Sequence, residues 1–261
     1  MRGNRYDLVV DLQGLLRSAL LAYATGAPVR VGSAEAREGA PWFYTHPVPM
    51  SAVHAVDRNL ALVHALDIPV AAIDFGFSKG TVSASCFHNM GVPEETPMAV
   101  LHPITRRKNK QWPLANFTAL ADRLHREGLM PVFIGAPSDR LAIDTILSSM
   151  KQSGINRAGH LGWPQLIALF RQAKWVIGND SGPLHLAAAA GARVVALFGP
   201  TDPMRVGPYG EGHRVVRQTL GCIGCTRHRC RHDHACMNAI SVEHVVSALQ
   251  SGSADTLSAT H

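Results

Sequence analysis

The chain has 261 residues, 46% of them hydrophobic and 17% charged, a globular composition that supports a full core, and it carries no evident internal repeat or low-complexity tract. No apolar run reaches about eighteen residues, which excludes a membrane-spanning helix. The net charge of +6 favours anionic partners such as nucleotides, phosphorylated lipids, a membrane face or nucleic acid, although a solvated basic surface explains it equally well.

The opening residues do not read as a signal peptide, so the cytoplasm is the expected compartment. YDLVVDL (6–12) reads as a buried strand and LLRSALLAYA as the helix after it. PVRVGS (28–33) is a second strand, and AVDRNLALVHALDI (55–68) carries apolar residues at helical spacing. Two strands in a section of about 95 residues are few for a doubly wound sheet. Residues 1–90 are therefore expected to form an incomplete domain, closed by a polar, Pro/Gly-punctuated linker, CFHNMGVPEETP (86–97).

A regular rhythm follows. MAVLHP (98–103) is a strand, ANFTALADRLHREG (115–128) a helix, PVFIGA (131–136) a strand and RLAIDTILSSM a helix. A short strand near Asn156–His160 precedes the helix PQLIALFRQA (164–173). KWVIGND is then a strand, PLHLAAAA a helix and RVVALFG (193–199) a strand. Such alternation implies a parallel sheet with right-handed crossovers, whose ligands bind beyond the carboxyl ends of the strands. Residues 97–236 are expected to form this second domain, with a closing helix in 237–250, read from SVEHVVSALQ (241–250), and 251–261 as a frayed tail.

Chemistry-bearing residues fall at those strand ends. In GNDSGPLHLAAAAG (178–191), Asp180 ends a strand while Ser181 and Gly182 stand where the next helix starts. Gly182 admits a close backbone approach, and free N–H groups with the helix dipole favour an anion. A Ser N-cap followed by a core-facing His185 explains the same stretch. LHPITRRKNKQWP (101–113) places Thr105, Arg106, Arg107, Lys108 and Lys110 in another strand-end loop, a set of donors and cations suited to a diphosphate or simply to solvent. Gly199-Pro200-Thr201-Asp202-Pro203 is dense turn chemistry that could wall the same crevice.

Together, the K-x-W-P loop (Lys110 to Pro113), D-[ST]-G-x-x-H (Asp180 to His185) and F-G-P-T-D-P (Phe198 to Pro203) resemble glycosyltransferase family 9, in particular its lipopolysaccharide heptosyltransferases. YDLVVDLQGLLRSALLA, VRVGSAEAREGA, HAVDRNLAL and the C-x2-C-x4-C-x5-C-M pattern are similar to the heptosyltransferase I branch. The resemblance implies an α/β fold of GT-B type, two Rossmann-like domains with parallel sheets, the N-terminal one incomplete here. It implies an inverting, metal-independent and cofactor-free transfer of heptose from ADP-heptose to the Kdo/lipid A inner core. It also implies a peripheral place at the cytoplasmic face of the inner membrane, with an anionic membrane surface as partner and no nucleic acid.

By the same resemblance, Thr105 and Lys110 match positions that hold the nucleotide diphosphate, Asp180 the acid near the sugar, and Ser181 and Gly182 the phosphate-cradling turn. His185 matches the helix His behind that turn, and Leu161 falls at the adenine contact. Arg17, Ser18, Arg37, His54 and Arg58 lie in segments matching the acceptor side, where arginine's fork suits carboxylate or phosphate; each also reads as a surface or helix-capping residue. The family's general base is an Asp on a Gly-Asp turn that precedes the position of MRGNRYDLVVDL, so the catalytic base is expected to be absent from this chain. Asp11, ending a later strand, does not replace it.

Three rivals stand beside this reading. One is a catalytically inactive nucleotide-binding relative lacking the base. Another is a zinc-dependent nucleic-acid-binding protein built on Cys222, Cys225, Cys230 and Cys236 with His228, His232 and His234, although the spacing is irregular and reduced thiols are the default. A third keeps the GT-B fold but uses a different nucleotide sugar.

Overall fold

The computed structural model describes residues 5–70, 72–77, 96–222, 225 and 230–250. The chain divides into two compact units, Met1–Asp74 and Phe75–His261. The division falls ahead of residue 90; most of the stretch read as a linker, and the whole tail 251–261, lie outside the described residues.

The first unit runs β1 (Leu8–Asp11), α1 (Leu16–Ala24), β2 (Val29–Ser33), a 3-10 turn (Ala40–Phe43), β3 (His46–Val48) and α2 (Ala55–His64). Its strands form a parallel sheet in the order β1-β2-β3. The third strand, His-Pro-Val, is too short to show a period, so the pattern of apolar residues does not reveal it. Helix α2 stops at His64 rather than at residue 68, and Asp67 has already turned left-handed with φ 57°. The end of β1 is locked by Asp11, whose carboxylate accepts the amides of Gln13 and Gly14 and the Tyr44 hydroxyl at 2.7 Å. Tyr44 lies over Gly32, where a Cβ would stand 2.4 Å from its ring, so only glycine fits that strand position.

In the second unit the order is β4 (Met98–His102), a 3-10 turn (Lys108–Lys110), α3 (Leu114–Arg126), β5 (Met130–Phe133), α4 (Arg140–Ser149), β6 (Ile155–Asn156) and α5 (Trp163–Gln172). There follow β7 (Trp175–Asn179), α6 (Gly182–Ala189), β8 (Val194–Leu197), α7 (Pro203–Val206), β9 (Arg214–Val216), α8 (Ala235–Asn238) and α9 (Val242–Gln250). All six strands are parallel, ordered β6-β5-β4-β7-β8-β9. Strand β9 is again a three-residue element without a legible period.

Alternation along β4 sends Ala99 and Leu101 to one face and Met98 and Val100 to the other, as the two-residue period of a strand requires. The first face is covered by Phe117, Leu120 and Leu124 of α3, Ile143 of α4 and Val245 of α9. The second is covered by Leu169 and Phe170 of α5 and by Leu184 and Ala187 of α6. The closing helix α9 thus shares the second unit's core. Because β4 pairs with both β5 and β7, the chain reverses its winding between β4 and β7. A crevice opens beyond the carboxyl ends of the strands at such a switch point, and loops 103–112 and 180–182 flank it.

Candidate functional site

The strand ends of the second unit enclose a cleft of about 970 Å³, lined by Thr105, Lys110, Leu161, Asp180, Ser181 and Gly182 among others. Six of the seven positions expected to hold a donor therefore share one cavity wall, and His185 reaches it through Asp180. Arg106, Arg107 and Arg157 also line the cleft, which gives it a surplus of cations over carboxylates suited to an anion.

Asp180 is the centre of the arrangement. Its side chain is 6% exposed and receives groups from three separate elements. Lys110 Nζ, on the 3-10 turn after β4, lies 2.5 Å from Oδ2. Thr201 Oγ1, in the turn after β8, donates to the same oxygen at 2.6 Å. His185 Nε2, in the first turns of α6, is 3.2 Å from Oδ1. Burial works against the charge, but the hydrogen bonds from His185, Lys110 and Thr201 and the Lys110 cation outweigh it, holding the Asp180 pKa down at about 2. Asp180 is therefore ionised throughout the physiological range and is a weak base. His185, with its side chain 39% exposed, does not face the core.

Lys110 owes its position to a clasp at both ends of its loop. Asn179, fully buried at the end of β7, donates from Nδ2 to the Pro103 carbonyl at 2.9 Å, and its Oδ1 accepts the Trp112 amide at 2.9 Å. Trp112 is itself buried edge-on against Phe117 and donates its indole N–H to the Ile240 carbonyl at 2.8 Å. The tryptophan of the K-x-W-P loop is thus an anchor, and the lysine two residues earlier is what it presents. Thr105 shapes the same loop, its hydroxyl accepting the Arg107 amide at 3.2 Å.

At the start of α6, Ser181 occupies the N-cap position with extended φ −157° but makes no side-chain cap. Its hydroxyl lies 3.0 Å from His102 Nδ1 instead. The alternative of a Ser side-chain cap is therefore not what the structure shows: Ser181 stands at the N-cap position, but its hydroxyl is engaged by the neighbouring strand. A Cβ placed on Gly182 would meet no atom within 4 Å beyond its chain neighbours and its own helix backbone, so the space above the helix start is open. Pro183 follows in the first turn, where its missing N–H costs nothing.

The acceptor-side candidates lie in the first unit. Ser18 bonds the amide and the carbonyl of Leu15 at the start of α1, and His54 caps α2 by accepting the Val56 amide. Arg58 reaches the Ala52 carbonyl, Ser33 and Glu35, the last at 3.5 Å. Arg17 and Arg37 form no ion pair among the described residues.

Cys222, Cys225, Cys230 and Cys236 line a second cavity of about 310 Å³ together with His232. All four are free thiols. Among the described residues no group of three or more His, Cys, Asp or Glu side chains is placed to hold a metal ion, which leaves the zinc reading without support; His228 lies outside the described residues. Nor is any helix among them long and apolar enough to cross a membrane.

Three residues of the site were not singled out by local sequence: Thr201, His102 and Asn179. The F-G-P-T-D-P motif contained the signal for Thr201. His102 and Asn179 acquire their partners only through the register of β4 against β7, which pairs His102 with Gly178.

The model of glycosyltransferase family 9 (heptosyltransferase) matches residues 1–236. Lipopolysaccharide heptosyltransferase 3 of Escherichia coli K12 is 29% identical over 267 residues, spanning 96% of this chain and 75% of the relative. Lipopolysaccharide heptosyltransferase 2 of the same strain is 30% identical over 240 residues, spanning 85% and 68%. Lipopolysaccharide heptosyltransferase 1 of Pseudomonas aeruginosa PAO1 is also 30% identical, over 236 residues, spanning 87% of this chain and 64% of the relative, so the likeness extends to types 1, 2 and 3 alike. Among solved structures, the E. coli ADP-heptose lipopolysaccharide heptosyltransferase II superposes with a TM-score of 0.71 at 26% identity, over 95% of this chain and 76% of that one. The fold is that of these GT-B enzymes.

Proposed function

Because the chain belongs to glycosyltransferase family 9, we propose that it transfers heptose from ADP-heptose to the Kdo/lipid A inner core of lipopolysaccharide, with inversion at the anomeric carbon. The observation that carries this reading is the buried Asp180, held by Lys110, Thr201 and His185 at the floor of a cation-rich cleft. The solved E. coli relative is named for ADP-heptose, and the cleft volume is that of a small-ligand site.

In this reading the diphosphate lies over the Gly182 amide at the positive end of α6, with Lys110 and Thr105 beside it. Leu161 and Trp163, also on the cleft wall, flank the nucleoside. As the acceptor oxygen attacks the anomeric carbon, its proton passing to water, the bond to the leaving ADP breaks and negative charge grows on the diphosphate. Preorganised donors aimed at that charge supply the main stabilisation in such a transfer. Asp180 is too acidic to take the acceptor's proton; it fixes Lys110 and presents a negative charge beside the sugar, where positive charge develops. Arg17, Arg37 and Arg58 are the acceptor-side cations, and the basic surplus of the chain favours a peripheral position on an anionic membrane.

Incubation with ADP-heptose and Kdo-bearing lipid A is expected to release ADP and extend the acceptor by one heptose. Turnover of a UDP- or GDP-sugar in its place would contradict the donor, and transfer to lipid A without Kdo would contradict the acceptor.

A further inference from the structure

A serine at a helix N-cap ordinarily turns its hydroxyl back onto the N2 or N3 amide, a contact worth about 1 kcal/mol. Ser181 forgoes it: its Oγ stands 3.0 Å from Nδ1 of His102, at the end of the neighbouring strand β4. The two side chains come together because β4 and β7 are adjacent and His102 is in register with Gly178. Both line the cleft, and His102 is 6% exposed.

The direction of this hydrogen bond decides what Ser181 can do. Burial pushes the His102 pKa down to about 4, opposed by the charge of Asp139, so the ring is neutral at physiological pH. A neutral imidazole carries one N–H, and Nδ1 is either donor or acceptor. With a bare Nδ1, Ser181 donates its proton to the ring and turns lone pairs toward the cleft, which would repel an anion. With an Nδ1–H, the ring donates to Oγ and the serine proton is free to point into the cleft. The surrounding cations, Lys110, Arg106, Arg107 and Arg157, mark the cleft as an anion site, which only the second arrangement serves.

We propose that His102 is a positioning residue: as the Nδ1–H tautomer it holds the Ser181 hydroxyl as a hydrogen-bond donor to a diphosphate oxygen. The inference rests on the donor-site reading above and adds to it a residue at the end of the neighbouring strand β4. A neutral donor to Oγ also leaves the diphosphate's charge to the lysine and arginines, so His102 orients without competing for the anion.

Two measurements test it together. Nitrogen-15 NMR of the histidine rings in the ligand-free protein should show His102 neutral and protonated at Nδ1; an Nε2–H tautomer would overturn the proposal. Calorimetric titration with inorganic pyrophosphate should then show His102→Leu and Ser181→Ala each binding about tenfold more weakly than the parent, the scale of one charge-assisted hydrogen bond. The double variant should be no weaker than either single one. His102→Asn, whose amide N–H can take the place of Nδ1–H, should recover most of the affinity. Additive losses, an Asn variant as weak as the Leu variant, or no pyrophosphate binding by the parent would each overturn it. Pyrophosphate reads His102 whichever base the natural nucleotide carries, while a separate preference for ADP over UDP reads the donor assignment alone.

Discussion

Lys110 Nζ and Asp180 Oδ2 stand 2.5 Å apart although 70 positions separate them in the chain. Both side chains are largely withdrawn from water, Lys110 at 15% and Asp180 at 6% exposure, so the pair is a fixed dipole rather than a surface contact. Its cost in desolvation is offset by Thr201 and His185, which occupy the remaining carboxylate positions. Breaking a buried pair from one side leaves an uncompensated charge, typically at a cost of about 3 kcal/mol. Asp180→Asn is expected to lose that order of stability and at least about tenfold in transfer. Urea denaturation and initial rates of ADP release check both.

The same pair sets an acid limit on stability. The Asp180 pKa is held at about 2 against 3.8 for the ordinary side chain. A depressed carboxylate pKa contributes stability that is complete above the unfolded value and disappears as pH falls through the folded one. Asp180 should therefore contribute on the order of 2 kcal/mol above about pH 4, lost between about pH 4 and pH 2. The stability gap between the parent and Asp180→Asn should narrow across that window; a gap constant with pH would contradict the assignment.

Thr201 tests the loop after β8 separately from the charge. Thr201→Val keeps the shape and removes the donor to Asp180, with an expected loss of about 1 kcal/mol in transition-state stabilisation, or several-fold in rate. Thr201→Ser should retain most activity. A Val variant with unaltered kcat would show that the hydroxyl only fills space.

Much of the second unit was legible in the chain. Its buried strands are apolar runs bounded by polar turn residues, and its longer helices α3, α5 and α9 show clear amphipathic spacing, so their order could be read and the cleft placed at the strands' carboxyl ends. Strands β3 and β9 escaped because three residues carry no usable period. Thr105, Lys110, Asp180, Ser181 and Gly182, which line the cleft, each sit in a local motif and so could be put forward from the sequence. The orientation of the Ser181 hydroxyl and the clasp by Asn179 were not, since both depend on which strands lie side by side. Long-range register is the information that local pattern lacks.

That clasp yields its own prediction. Asn179→Leu would strand the Pro103 carbonyl and the Trp112 amide, both paired to Asn179 at 2.9 Å. Buried groups left unpaired cost about 1–3 kcal/mol each, so the melting temperature should fall by several degrees. ADP affinity should fall with it, because the loop carrying Lys110 loses both of its ties to β7. Full ADP affinity in a destabilised variant would separate the clasp from the site.

In the first unit, Tyr44→Phe removes the hydroxyl that donates to buried Asp11 at 2.7 Å. Burial and that hydrogen bond push the tyrosine pKa up, so the bond is formed by a neutral phenol donating to a carboxylate. The variant should lose about 1–3 kcal/mol while ADP affinity is unchanged, as followed by thermal unfolding and calorimetry.

The central claim is that the cleft at Lys110 and Asp180 holds the diphosphate of a nucleotide sugar. Calorimetric titration of ADP into the parent protein and into Lys110→Ala tests it most directly, with circular dichroism to establish that both are folded. At least about tenfold weaker binding by the variant, the loss of one charge-assisted contact, is the predicted result. Equal affinity of the two proteins for ADP would contradict it.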